Sequence, residues 1–190
     1  GSREAMIAKL DSLFTVSSVV EGAETSPDIS GLIGQYAHGN EPSHHMAYLY
    51  NYVGMPWRTQ ELTRRLLDEM YAPTPEGIIG NEDCGQMSSW YVLSAMGFYP
   101  VNPALGIYVL GSPAFDRITL RTHGGKRFTV IAENNSEENI YIQSAELDGR
   151  PYPYSYIRHA DLLRGGTLRL KMGPKPSDFG SDPQHRPIEQ

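Results

Sequence analysis

The hydrophobic period of this chain changes part-way along it, and that change constrains the fold more than any other feature. Up to about residue 100, apolar residues recur at three- and four-residue spacing in four segments. They are Met6, Ile7, Leu10, Leu13 and Phe14; then Met46, Leu49, Tyr50 and Val53; then Leu62, Leu66, Leu67 and Met70; then Met87, Trp90, Tyr91, Ser94 and Ala95. Such spacing lays one apolar stripe along a helix. The second helix is expected to start at Ser43 and stop at Gly54, the third to start at Pro56 and run to about Tyr71, and the fourth to run from about Cys84 to Gly97. Residues 15–28 read as a loop, and the Pro/Gly punctuation of 72–80 excludes helix there. From Ile107 the period falls to two. Strands are expected at 107–110, 117–120, 127–132, 140–147 and 167–172, with Gly124-Gly125 and Asp148-Gly149 as hairpin turns. Helices followed by strands, rather than alternating with them, imply an α+β fold: a helical first half (1–103), then a small antiparallel β-sheet or sandwich (104–174). Residues 175–190, rich in Pro, Ser and Asp, are expected to form a poorly packed tail.

A chain of 190 residues can hold one substantial core or two small ones that share an interface. The formal net charge of -6 argues against a nucleic-acid partner, because phosphate binding draws on an excess of Lys and Arg. No run approaches the roughly 20 apolar residues of a membrane span. Cys84 is the only cysteine, so an intrachain disulfide is excluded. The amino terminus enters the first helical pattern with no signal-peptide hydrophobic region, so the chain reads as an excised piece of a longer protein.

Two Gly-containing segments concentrate polar residues where a plain helical domain needs none: residues 35–45, QYAHGNEPSHH, and residues 80–86, GNEDCGQ. Each leads into a helical pattern, so its carboxylates, amides and histidines stand near helix N-termini. Asn40 and Glu41 offer an amide oxygen and a carboxylate, hard donors that suit Ca²⁺; Glu41-Pro42-Ser43 could equally be a turn and cap. His44 and His45 are adjacent, so on a helix they point about 100° apart and cannot form an i,i+4 zinc pair. One of them is expected to serve packing or hydrogen bonding. A lone Cys84 adds nothing to a zinc site. Asp83 reads either as an N-cap or as a catalytic base, while Glu82 beside it should point elsewhere.

The segments HGNEPSHH (38–45), PWRTQ (56–60), GNEDCGQMSSWY (80–91) and SAMGFYPV (94–101) together resemble the C-terminal portion of the catalytic region of glycoside hydrolase family 92. The resemblance covers nearly the whole chain. It implies an inverting exo-α-mannosidase that needs Ca²⁺ and is built from an N-terminal β-sandwich and an (α/α)₆ barrel, whose last helices would be residues 1–103. It places Asp83 at the general base, Asn40, Glu41 and Asn81 at the calcium site, and His38 and Gln86 among the substrate-binding residues. Position 81 is Asn where some members are acidic, so it offers one neutral oxygen. The implied partner is a terminal α-linked mannose of a glycan, with wording closest to α-1,2 members, and the implied role is N-glycan degradation. The general acid is expected upstream, on the missing N-terminal half, which would leave the isolated chain inactive. Glu4, on a helix-surface pattern, is not that acid. A partial barrel exposes apolar helix faces, which favours self-association, and the parent is expected to be secreted or periplasmic. A non-catalytic calcium-dependent glycan-binding module is the alternative. A purely structural domain would not need this concentration of polar residues.

Overall fold

The computed structural model describes residues 1–19 and 29–187. Helix α1 (Arg3–Thr15) is capped by Ser2, whose Oγ accepts from the Ala5 N–H at 3.2 Å, and it buries Leu10 and Phe14. Most of the expected loop at 15–28 lies outside the described residues. Strands β1 (Leu32–Ile33) and β2 (Tyr36–Ala37) form a short hairpin. Its turn needs Gly34: φ is 62°, and a Cβ there would lie 2.4 Å from the Leu13 carbonyl oxygen.

The helix expected from Ser43 to Gly54 is instead two 3₁₀ segments, Glu41–Ser43 and Met46–Asn51. A 3₁₀ helix aligns residues i and i+3. That pairs Ala47 with Tyr50 and Tyr48 with Asn51, the four residues this segment buries. Asn51 then donates to the carbonyls of Leu110 (3.0 Å) and Ser155 (3.1 Å), tying the segment to the second half of the chain. Helix α2 (Pro56–Glu69) starts on its proline, as expected, and buries Leu62, Leu66 and Leu67. Helix α3 (Gln86–Ala95) starts two residues later than expected, because Asp83, Cys84 and Gly85 all have positive φ.

Strand β3 (Phe98–Tyr99), β4 (Ile107–Leu110) and β9 (Tyr156–Arg158) form a three-stranded antiparallel sheet. Five more strands form a second sheet in the order β5-β6-β10-β7-β8: β5 (Arg117–Arg121), β6 (Arg127–Glu133), β7 (Tyr141–Leu147), β8 (Arg150–Pro151) and β10 (Gly166–Gly173). Helix α4 (His159–Arg164) precedes β10. The expectation of small antiparallel sheets holds for every described pairing but one: β10 runs parallel to β6. The reason is topological. Strands β6 and β7 run in opposite directions one strand apart, so a strand inserted between them must be parallel to one.

The tail is packed rather than loose as far as residue 187. Phe179 joins the core beneath the five-stranded sheet, and the Gly180 backbone lies against Ser155. The Ser155 N–H donates to the His185 carbonyl at 2.8 Å. The two halves meet through polar anchors. Arg64 of α2 donates to the Pro113 carbonyl (2.7 Å), Asn135 Oδ1 (2.9 Å) and the Ser136 carbonyl (3.1 Å). Gln60 Oε1 accepts from the Ile142 N–H at 3.0 Å.

Candidate active site

The β1–β2 hairpin delivers His38 into the interior between α2 and α3. Tyr71 Oη donates to the Met87 carbonyl (3.3 Å), so its one proton is committed and it accepts from His38 Nε2 (2.7 Å). Nδ1 is then the acceptor for Tyr36 Oη at 2.9 Å. The ring also stacks on His44 at 4.9 Å and meets Trp90 edge-on at 4.4 Å. Burial, with a smaller contribution from His44, pushes the His38 pKa down to about 3, so this imidazole is neutral. His38, expected among the substrate-binding residues, is fully buried here with both ring nitrogens occupied.

His44 is the structural member of the adjacent pair. Its Nε2 faces the His38 carbonyl at 2.9 Å and must carry the proton, leaving Nδ1 to accept from Gln86 Nε2 at 3.0 Å. Burial lowers its pKa, opposed by the bond to the His38 carbonyl. Gln86 Nε2 also donates to Tyr99 Oη at 3.1 Å, and the Trp90 indole donates to the His44 carbonyl at 3.1 Å. Gln86 opens α3 and reaches back to the 41–45 segment. Glu41, His44, His45, Gln86, Ser89 and Tyr99 thereby line one cleft of about 350 Å³. A larger cleft of about 480 Å³, where Leu67, Pro73, Ile78, Tyr91 and Val92 gather, is chiefly apolar. Convergent polar groups, rather than size, favour the smaller cleft as the chemical site.

The two polar loops touch through their glycines. A Cβ on Gly80 would come within 3.2 Å of Gly39 Cα and 2.9 Å of Ser30 Oγ, so residues 39–41 and 80–81 are neighbours. Glu41 Oε1 is buried with no hydrogen-bond partner, and so is Ser30 Oγ. A buried carboxylate oxygen without a partner is costly. A hard cation held by oxygens would satisfy it, so these residues fit part of a Ca²⁺ shell. Asn40 is half-buried and donates through Nδ2 to Ser43 Oγ at 3.2 Å, which leaves its carbonyl oxygen for a ligand; Asn81 is exposed on the facing loop. Among the described residues no three His, Cys, Asp or Glu side chains gather into a metal site, so any shell here rests mainly on neutral oxygens around Glu41.

Asp83 is not the cap of α3. It has φ of 47°, Cys84 has 57° and Gly85 has 91°, giving a run of left-handed residues before the helix. Asp tolerates this region better than Cys, and each such non-glycine residue costs of order 1–3 kcal/mol. Glu82 does the capping instead. Its Oε1 accepts from the Ser88 N–H at 3.0 Å and its Oε2 from Ser88 Oγ at 2.8 Å. As expected, Glu82 points away from Asp83, but it is far from idle. The Asp83 carboxylate stands exposed, with no hydrogen bond among the described residues. Asn81 and Asp83 thus lie on the loop beside the cleft rather than on its described walls.

Reading residues alone missed Glu82, Tyr99 and the Tyr36–His38–Tyr71 chain. Only Glu82 left a local trace, a Glu six residues before the serine that it caps.

The glycosyl hydrolase family 92 catalytic domain matches residues 1–174. An uncharacterized secreted glycosidase of Arthroderma benhamiae is 36% identical over 146 residues, 75% of this chain and 19% of that protein. A GH92 α-mannosidase of Bacteroides thetaiotaomicron in complex with mannoimidazole superposes with a TM-score of 0.93 at 41% identity, over 98% of this chain and 25% of that one. A GH92 inverting mannosidase of the same organism gives 0.83 at 40% identity, over 98% of this chain and 26% of its own. The chain thus spans between 19% and 26% of the length of these relatives. With its two glycine-joined loops in place and the family domain matched over residues 1–174, the chain belongs to glycosyl hydrolase family 92 and carries part of that family's catalytic domain.

Proposed function

We propose that the chain supplies one wall of the active site of an inverting exo-α-mannosidase that removes terminal α-linked, by preference α-1,2-linked, mannose from N-glycans. The observation that carries this reading is the buried, unpartnered Glu41 Oε1 beside the Gly39–Gly80 contact, with Asp83 held exposed on the facing loop. Glu41, Asn40 and Asn81 would hold Ca²⁺, which when bound supplies positive charge and oxygen coordination for sugar hydroxyls. Asp83 takes the proton from the water that attacks the anomeric carbon. Gln86, with its amide nitrogen fixed by His44 and Tyr99, presents its amide oxygen to the cleft as a sugar hydroxyl acceptor. Inversion needs a second carboxyl group, roughly 6.5–9.5 Å from the base, to protonate the leaving oxygen. That acid, and the remaining helices of an (α/α)₆ barrel, belong to the larger part of the protein that the relatives' lengths imply. The chain alone is then inactive and prone to self-association through its uncovered helix faces. The secreted fungal relative and the glycan substrate support an exported parent.

In the full-length protein Asp83→Asn keeps the shape of the base but not its basicity. The expected loss is about 10²–10⁴-fold in kcat with KM little changed. Near-wild-type turnover on both an aryl α-mannoside and a mannobiose would reject Asp83 as the base. Calorimetric titration with Ca²⁺ tests the metal site independently: Glu41→Ala should weaken binding, and an unchanged isotherm rejects the assignment.

A further inference from the structure

Glu82 has no role in the chemistry proposed above, yet both its carboxylate oxygens are committed, at 3.0 Å to the Ser88 N–H and at 2.8 Å to Ser88 Oγ. Resting on the reading of Asp83 as the base, we propose that Glu82 is the positioning residue that holds the Asp83 loop in its left-handed conformation. Ser88 is the third residue of α3, so its N–H has no partner within the helix. Glu82 fills that vacancy from outside the helix, across the three left-handed residues. The backbone closes the same loop: the Gln86 N–H donates to the Asp83 carbonyl (3.2 Å) and the Met87 N–H to the Glu82 carbonyl (3.3 Å).

Left-handed Asp83 and Cys84 would relax to ordinary backbone angles if released, and the Asp83 carboxylate itself bonds to nothing among the described residues that could hold it in place. Such relaxation would swing the Asp83 carboxylate by ångströms. The remaining ties are on backbone carbonyls: those of Asp83 and Glu82 at 3.2 and 3.3 Å, and that of Gly85, which accepts from the Ser89 N–H at 2.9 Å and from Ser89 Oγ at 2.6 Å but lies beyond Asp83 and Cys84. The Glu82 carboxylate, charged and accepting two hydrogen bonds, is the side-chain restraint that spans all three left-handed residues.

The geometry also separates holding from catalysing. Glutamine at position 82 keeps both contacts, since its amide oxygen can accept from the Ser88 N–H and its NH₂ can donate to the Ser88 hydroxyl oxygen. A catalytic carboxylate has no such substitute. In the full-length protein Glu82→Ala should lower kcat by up to about 10²-fold, the order expected for misplacing a catalytic group by about an ångström. KM should stay close to wild type, and Tm should fall only by the small amount that a lost helix cap costs. Glu82→Gln should recover most of that loss, and Ser88→Ala, which deletes one of the two donors, should show a smaller drop. Two results overturn the inference. One is wild-type kcat in Glu82→Ala while Asp83→Asn is inactive, which leaves the base in place but unpositioned by Glu82. The other is Glu82→Gln as impaired as Glu82→Ala, which makes Glu82 a reacting group. If instead Asp83→Asn is active, the underlying assignment of the base fails first, and the two failures are told apart.

Discussion

The two cores of this molecule are built on different terms. The first, under the helices, is aromatic and polar: Tyr36, Tyr48, Tyr50 and Trp90 are packed with His38, His44, Asn51, Thr59, Gln60, Thr63, Arg64 and Ser94, all buried. The second, under the sheets, is Phe128, Val130, Ile142, Ile157, Leu168 and Leu170, and the buried polar residues of that half that are described are Ser112, Thr129 and Ser155. An aliphatic core needs only volume and shape. A polar one needs its donors and acceptors matched, as those of His38 and His44 are by Tyr36, Tyr71, Gln86 and the His38 carbonyl, with Asn51 Oδ1 and Arg64 Nε as exceptions, and it specifies one arrangement in return. The contrast runs parallel to the proposed chemistry: the half with the demanding core presents the candidate cleft, and the other half packs beneath it.

Exchanging the damage between the halves tests this division. The largest effect, the 10²–10⁴-fold fall in kcat for Asp83→Asn, should come with an unchanged Tm, because that side chain is exposed. Leu168→Ala in the second core should do the reverse. Deleting a fully buried leucine costs about 2–5 kcal/mol, read as a lower Tm or denaturation midpoint, with kcat below the transition unchanged. A catalytic defect in Leu168→Ala would mean that the second core is not a passive base.

A smaller effect concerns acid. The folded-state pKa of His38 lies near 3, below the ordinary 6.5, so between those values the unfolded chain binds the proton more readily than the folded one. Stability contributed by neutral His38 is therefore complete above about pH 6.5 and lost as pH falls toward 3, at up to about 1.4 kcal/mol per pH unit. His44 is shifted in the same direction and adds to the slope. In His38→Gln the slope of stability between pH 6.5 and 4 should flatten, and denaturation midpoints across that range provide the measurement. An unaltered slope would show that the acid sensitivity arises outside the polar core.

Much of the fold could be read from the residues. The apolar stripes of α1 and α2 and the alternation in β4 to β7 and β10 are local signals, and the elements lie within a few residues of where those signals end. Three features could not be read. Met46, Leu49, Tyr50 and Val53 fit a period of 3.0 as well as 3.6, so nothing local chose the 3₁₀ form. Strand β9 and α4 are short, and β9 follows the proline-broken Pro151–Ser155 run that conceals alternation. The place of β10 between β6 and β7 is decided by partners far along the chain. The site divides in the same way. Its motifs are contiguous and carry the family resemblance, but the left-handed run at Asp83 and the burial of His38 depend on Ser88, Tyr36 and Tyr71, which no spacing rule connects.

The packed tail has a consequence for the turn at Val53 and Gly54. Arg3 donates through Nε to the Val53 carbonyl at 2.7 Å, and the Arg186 guanidinium lies over Gly54, where a Cβ would come within 2.5 Å of it. Two residues 183 positions apart (186 minus 3) thus reach the same peptide unit. Both ends of the described chain are therefore anchored, by one long side chain each, on the turn that joins the second 3₁₀ segment to α2, and loosening either end withdraws one of that turn's two clamps.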